Sequence, residues 1–191
     1  MEKYYVVKYS GPFGFIKPWT AVRDSETFSQ QFLTPSIVEG MEKKLFPELL
    51  DEIGIKKIKR HRLNYCSISV QQEKTWAKGG FKASKSKNTY KTNIGIINRG
   101  IMIEPHLYLA FESEEDALIA AKQTLCLCRN EDIVFPEIPE IFTEETFNEI
   151  NGFELLFSTN DKGFKVGYNR YNNASEMFGE LKVFGNPIRE Y

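Results

Sequence analysis

Ile101-Met102-Ile103-Glu104-Pro105-His106-Leu107-Tyr108-Leu109-Ala110-Phe111, followed by Glu112-Ser113-Glu114-Glu115-Asp116, decides the fold class. The apolar and aromatic run 101–111 reads as a strong strand. Pro105 inside it predicts an edge position or a bulge, because proline has no N–H to give to a ladder. Ser113 and Asp116 then have the Ser-x-x-acid spacing of a helix start, with acids in the first turn where the helix dipole favours them. Ala117, Leu118, Ala121, Leu125 and Cys128 mark the buried face of a helix over 114–129. A further strand fits Asp132–Phe135, stopped by Pro136.

The same alternation appears upstream. Residues 2–9 alternate and are rich in Tyr and Val, as a first strand should be. Gly11-Pro12 breaks that pattern and opens a connection over 10–33 that is longer than packing requires. Thr34-Pro35-Ser36 starts a helix: proline suits the first turn, and Ser36 with Glu39 has capping-box spacing. Ile37, Met41, Leu45 and Leu49 follow as its core-facing stripe. A second strand covers 61–71, with Cys66, Ile68 and Val70 on one face and Leu63, Tyr65 and Ser67 on the other. Strand, helix, strand, strand, helix, strand is the βαββαβ order of a ferredoxin-like, RRM-like α+β unit. That topology carries little function by itself. Beyond it, 136–191 reads as a small C-terminal β annex, with a hairpin of 153–158 and 164–168 around Asn160-Asp161-Lys162-Gly163 and a last strand at 180–184. The predicted division is a domain at 1–135, with an insertion at 72–93, and the annex at 136–191.

Charge is polarised along the chain. Lys56 to Lys91 holds eleven Lys or Arg residues against one acid, Glu73, while the chain as a whole has 25 basic and 26 acidic residues. Lys56, Lys57, Lys59, Arg60 and Arg62 come first, then Lys74, Lys78, Lys82, Lys85, Lys87 and Lys91, with Tyr65, Trp76, Phe81 and Tyr90 between them. Cations pair phosphates and aromatic rings stack bases, so this composition meets the requirement for holding a nucleic-acid strand. Residues 72–93 show no helical or strand period and are predicted to be mobile until a ligand orders them.

Few residues offer catalysis. His61, between Arg60 and Arg62, should resist protonation and could serve as a general base on a 2′-hydroxyl, with Tyr65 as a second acid–base candidate. His106 reads as a structural strand residue. The histidines and cysteines lack zinc spacing, so no metal is predicted. No Gly-Lys-Ser/Thr phosphate loop occurs, and no cofactor is implied. No window approaches the roughly 18 apolar residues of a membrane span. Cys66, Cys126 and Cys128 make a poor disulfide framework, which predicts a reducing cytoplasm.

Gly11-Pro12-Phe13-Gly14-Phe15-Ile16-Lys17-Pro18-Trp19-Thr20, then Thr27-Phe28, then Thr34-Pro35-Ser36-Ile37-Val38-Glu39-Gly40, resembles the Cas five family of CRISPR-associated RAMP proteins. The strand from Arg99 to Phe111, running into an acidic helix start, is similar to that family's mid-domain strand. The resemblance covers some 60–70 residues. It implies an RNA-binding subunit of a type I, Cascade-like complex that grips the 5′ handle of the CRISPR RNA. It also implies a backbone RAMP subunit and a large subunit as partners. On that reading Lys17, Arg23, Lys59, Arg60 and Arg62 meet phosphates, Trp19 and Trp76 stack bases, and Lys74, Lys78, Lys82, Lys85, Lys87 and Lys91 wrap the strand. RNA-cutting members use a Tyr six residues after the helix glycine and a later Lys-His pair. Here that position is Phe46 and no Lys-His dipeptide exists, which implies a subunit that binds without cutting. Two other readings stay open on the residues: a metal-independent endoribonuclease for precursor CRISPR RNA, and a protein-interaction module with a basic arm.

Overall fold

The computed structural model describes residues 3–20, 26–76, 80, 82–159 and 162–190. In chain order the first half contains β1 (Lys3–Ser10), β2 (Phe13–Gly14), β3 (Glu26–Phe28), α1 (Pro35–Leu45), β4 (Ile58–Asn64), β5 (Ser67–Trp76), β6 (Ala83–Ser86), β7 (Thr89–Thr92) and β8 (Ile94–Ile103). The second half contains β9 (His106–Phe111), α2 (Glu114–Ala120), β10 (Leu125–Cys126), β11 (Ile133–Pro136), β12 (Glu140–Thr143), α3 (Glu144–Asn148), β13 (Gly152–Ser158), β14 (Phe164–Asn169) and β15 (Ser175–Phe184).

β1 is central because its side chains are apolar on both faces. It pairs with β9 on one side and with β11 and β12 on the other, all antiparallel, and β4 pairs with the far edge of β9. The order β11-β1-β9-β4, with α1 and α2 as the two crossovers, is the ferredoxin-like arrangement. Val7 and Tyr9 of β1 face the helices, where they meet Val38, Met41 and Leu45 of α1, Ala117 and Ala120 of α2, and Leu107, Leu109 and Phe111 of β9. The buried Tyr9 hydroxyl donates to the Ala120 carbonyl at 2.9 Å, which ties the end of α2 to the sheet. Tyr4 and Val6 point the other way, where Phe147 of α3 covers them. The Tyr4 and Phe147 rings meet edge-on at 6.0 Å. The second face of the sheet, the one a bare RRM-like domain leaves open, is therefore covered here by α3, with Phe142 of β12 packed beside Phe147.

Several predicted elements take a different form. The single strand expected over 101–111 is two, because Glu104 at φ 47° and Pro105 make a turn between β8 and β9. Proline thus ends one strand, and β9 lies inside the sheet between β1 and β4 instead of at its edge. The 61–71 strand is likewise divided into β4 and β5. The helix expected over 114–129 stops at Ala120, and Leu125 is buried on strand β10 instead. The Ser113 cap forms as predicted, accepting from the Asp116 N–H. The Ser36–Glu39 capping box does not form: Thr34 is the N-cap, and Glu39 is buried, accepting from the Gly54 N–H and the Asn169 amide. The annex does not fold as a 153–158/164–168 hairpin. β15 lies between β13 and β14 and pairs with both, and β13 extends the main sheet beyond β4.

Glu42 shows how α1 fixes the start of β4. It is fully buried, and its carboxylate accepts the N–H groups of Lys56, Lys57 and Ile58 at 2.8, 2.6 and 2.8 Å. An amide in its place would turn an NH₂ toward these donors and leave at least one buried N–H unmet. Glu42→Gln is expected to cost about 3 kcal/mol, read as a lower urea midpoint at unchanged slope.

Candidate nucleic-acid interface

The basic strand is not a bare cationic surface. Lys56 pairs with Glu52 at 3.7 Å, Lys57 with Asp116 at 2.7 Å and Glu48 at 3.1 Å, and Lys59 with Glu112 at 3.3 Å. Arg60 and Arg62 both reach Glu154, at 2.6 and 2.9 Å. Arg62 is 0% exposed, lies 3.5 Å over the Phe184 ring, and donates to the Ile150 carbonyl. It is an internal ion-pair partner and cannot reach a phosphate of a bound strand. Arg60 also donates to Asn148 at 3.0 Å. Of the three cations assigned to RNA on this strand, only Lys59 faces solvent, and it shares its surroundings with Glu112. The sequence could not show this neutralisation, because Glu112, just past β9, and Glu154, on β13, are distant in the chain.

The catalytic candidates are equally enclosed. His61 is 4% exposed and stacked on Phe157 with centroids 5.2 Å apart, and its Nε2 has no hydrogen-bond partner among the described residues. Burial, reinforced by Arg62 and Arg60 against the opposing pull of Glu154, pushes its pKa down to about 4. The predicted resistance to protonation is present, but burial is its main cause. Tyr65 is 2% exposed, and burial raises its hydroxyl pKa. Neither side chain can reach a 2′-hydroxyl. Phe46 is buried, edge-on to Phe111 at 6.0 Å and capped by the Lys57 ammonium 4.1 Å from its centroid.

A run of unneutralised charge lies on the insertion, whose described residues form regular strands. β5 and β8 pair residue by residue from Ser67↔Ile103 to Trp76↔Ile94, a ribbon about 30 Å long at the usual rise per residue. β6 and β7 form a hairpin at its tip, turning at Lys87 with φ 52°. Lys74, Lys82, Lys85, Lys87 and Lys91 are exposed, and no ion pair holds any of them among the described residues. Lys78, also assigned to RNA, lies outside the described residues. Register places Lys74 and Trp76 opposite Ile96 and Ile94, on the ribbon face that also carries Val70. Trp76 and Tyr90 are exposed, so the ribbon presents rings and cations together. Glu73, the acid of this stretch, is paired with Arg99 at 3.0 Å.

The Gly11–Thr20 loop forms a second surface. β2 holds its start against Met102 and Ile103 of β8, and Gly14 lies so close to Leu127 that a Cβ would meet its methyl at 2.3 Å. Lys17 and Trp19 then line a cleft of about 580 Å³ over α1. Arg23, the third loop residue assigned to RNA, lies outside the described residues. Lys44, Tyr168 and Arg170 also line the cleft and were not predicted; the last two belong to the annex and reach the loop only through β14. Gly40, the helix glycine of the family resemblance, has a local reason: a Cβ there would come within 2.7 Å of Arg170 and 2.8 Å of Tyr171. No helix among the described residues is long and apolar enough to cross a membrane.

No family model matches the sequence, and no curated protein matches it as a relative. The fold is similar to that of a solved chain of a CRISPR RNA-guided surveillance complex. The two superpose with a TM-score of 0.51 over 96% of this chain and 91% of that one, at 9% sequence identity. The likeness is therefore one of fold, and it extends through the annex as well as the ferredoxin-like unit.

Proposed function

We propose that this chain is an RNA-binding structural subunit of a type I, Cascade-like CRISPR effector complex, holding the 5′ handle of the CRISPR RNA in the cytoplasm. The observation that carries the reading is the ribbon of 67–103, whose exposed lysines stand clear of carboxylates on a fold similar to a chain of an RNA-guided complex. Residues 1–135 act as the RAMP domain, 136–191 as its annex, and a backbone RAMP subunit and a large subunit are the protein partners. Lys59, Lys74, Lys78, Lys82, Lys85, Lys87 and Lys91 meet phosphates, with Trp76 as the ring on the arm and Lys17, Trp19 and Arg23 on the loop. Arg60 and Arg62 have a different role, as the buried frame under β13.

The exposed apolar face of the ribbon, Val70, Ile94 and Ile96, favours one further role, contact with a neighbouring protein subunit. An endoribonuclease based on His61 or Tyr65 is not supported, since both are buried.

The test is equilibrium binding of a single-stranded repeat-derived RNA across salt concentrations. About six cations on phosphates give a log–log slope near −4, and affinity falls on the order of a few hundred-fold between 50 and 200 mM salt. A slope shallower than about −2 rejects the reading.

A further inference from the structure

The cleft behind Trp19 has a composition that the rest of the molecule does not prepare one for. Outside Lys56–Lys91 the chain is strongly acidic. Yet three cations, Lys17, Lys44 and Arg170, line this cleft, and no Asp or Glu among the described residues lines it. None of the three has a carboxylate partner among the described residues. Lys44 donates only to the Thr124 carbonyl, at 2.5 Å, and Arg170 lies over the Tyr171 ring. An acid-free concavity with three uncompensated cations favours an anion.

The remaining walls say what kind of anion. The floor is apolar, built from Ile16, Met41 and Val166. At the mouth Trp19 and Tyr168 stand edge-on with centroids 6.2 Å apart, 49% and 51% exposed. Trp19 is held in place: the bulge in β14 puts Gly167 at φ 125°, directly beneath the indole, where a Cβ would come within 3.1 Å of the ring. Gln30, Ser36 and Asn130 add hydrogen-bonding groups to the lining. A volume of about 580 Å³ lies within the roughly 300–1,000 Å³ of small-molecule sites. A planar apolar body, a polar edge and a negative charge together describe a nucleotide.

We propose that this cleft holds one nucleotide, with its base against the Trp19 and Tyr168 rings and its phosphate among Lys17, Lys44 and Arg170. The same chemistry is offered by a free mononucleotide and by a nucleotide turned out of a bound strand; the second source rests on the RNA reading above, and the first does not. Either way the annex contributes Tyr168 and Arg170, so that β14 and the Gly11–Thr20 loop form one site.

The experiment uses the full chain carrying Trp76→Phe, which leaves Trp19 as the sole indole. AMP, CMP, GMP and UMP are titrated against its fluorescence, with inorganic phosphate as the control. The expected result is a saturable change for at least one mononucleotide, with inorganic phosphate binding at least tenfold more weakly. Arg170→Ala should weaken the mononucleotide by about tenfold or more, since a charge-assisted hydrogen bond is lost. Lys17→Ala, at an exposed side chain, repeats the test without touching the packing around Gly40. No saturable change, equal binding of phosphate, or indifference to both variants overturns the proposal. Repeat RNA bearing 4-thiouridine at one position at a time, bound to the chain with its native Trp76, separates the two sources. Adducts on Trp19 or Tyr168 from one position identify the turned-out nucleotide, whereas mononucleotide binding without such adducts identifies the free one. Strand binding without mononucleotide binding or adducts sinks the cleft alone, and mononucleotide binding without strand binding sinks the RNA reading alone.

Discussion

Replacing Lys82, Lys85, Lys87 and Lys91 together by Ala should reduce affinity for single-stranded RNA by several hundred-fold at 100 mM salt. The reasoning is electrostatic. Each cation that meets a phosphate of a single strand contributes about 0.7 to the log–log salt slope, so losing four shallows it by about 3, from near −4 to near −1. These side chains sit on β6, β7 and their flanks, exposed and without carboxylate partners among the described residues, so their charge is available to a ligand. Their removal should leave the fold intact, because exposed substitutions away from the core seldom move stability by more than about 0.5 kcal/mol. A thermal melt of the variant checks that point directly. The informative contrast is Lys59→Ala. On a reading in which the whole basic stretch grips RNA, Lys59 counts like any arm lysine. With Glu112 at 3.3 Å, its charge is largely compensated before any strand arrives. The four-lysine variant should therefore dominate the loss, and a Lys59→Ala effect of comparable size would return the site to the strand.

The ferredoxin-like core was legible because each of its elements carries its own period and punctuation. β1 alternates, α1 has a four-residue apolar stripe behind Pro35, and Ser113 caps α2. What escaped the sequence has one physical cause, the dependence of an element on partners remote in the chain. Residues 72–76 look like polar loop, yet they are strand because β8 supplies a ladder of ten pairs. Leu125 fits a helical stripe, but β11 offers its edge and Leu125 pairs with Val134 instead. The annex shows the same effect, since a plausible turn at Asn160–Gly163 cannot reveal that β15 will lie between the two flanking strands. For the site, residue type could be read from the sequence and availability could not. Arg60 and Arg62 have the composition of a phosphate clamp, and only the fold reveals that Glu154 occupies both.

Glu154→Ala should be the most destabilising single substitution in the second face of the sheet, costing about 3–5 kcal/mol. That carboxylate accepts from Arg60 at 2.6 and 2.8 Å and from Arg62 at 2.9 Å. Without it a fully buried guanidinium keeps its charge, faces a second cation, and retains only the Ile150 carbonyl as an acceptor among the described residues. The penalty is that of the unpaired charge and not the worth of the pair, so Arg62→Met with Glu154→Leu should recover much of the loss. Urea midpoints distinguish the two cases: a double variant no more stable than Glu154→Ala would mean that packing, and not buried charge, sets the cost. Acid tests the same cluster from another side. Burial alone would raise the Glu154 carboxyl, but hydrogen bonds from Arg60 and the charges of His61, Arg60 and Arg62 hold it below its ordinary value. Its stabilisation is therefore present above the unfolded carboxyl range and disappears as pH falls through the lowered folded value. His61 acts at higher pH. Its folded pKa of about 4 lies below its ordinary value of 6.5, so the unfolded chain takes up a proton first and stability declines from about pH 6.5 down to 4. Burial gives His106 a similar lowering, to about 4, and it adds to the same window. His61→Phe, which can keep the stack on Phe157, should therefore shallow the pH slope of unfolding free energy between 6 and 5 by nearly one proton. An unchanged slope would mean that His61 titrates alike in the folded and unfolded chain, and that its burial does not lower its pKa.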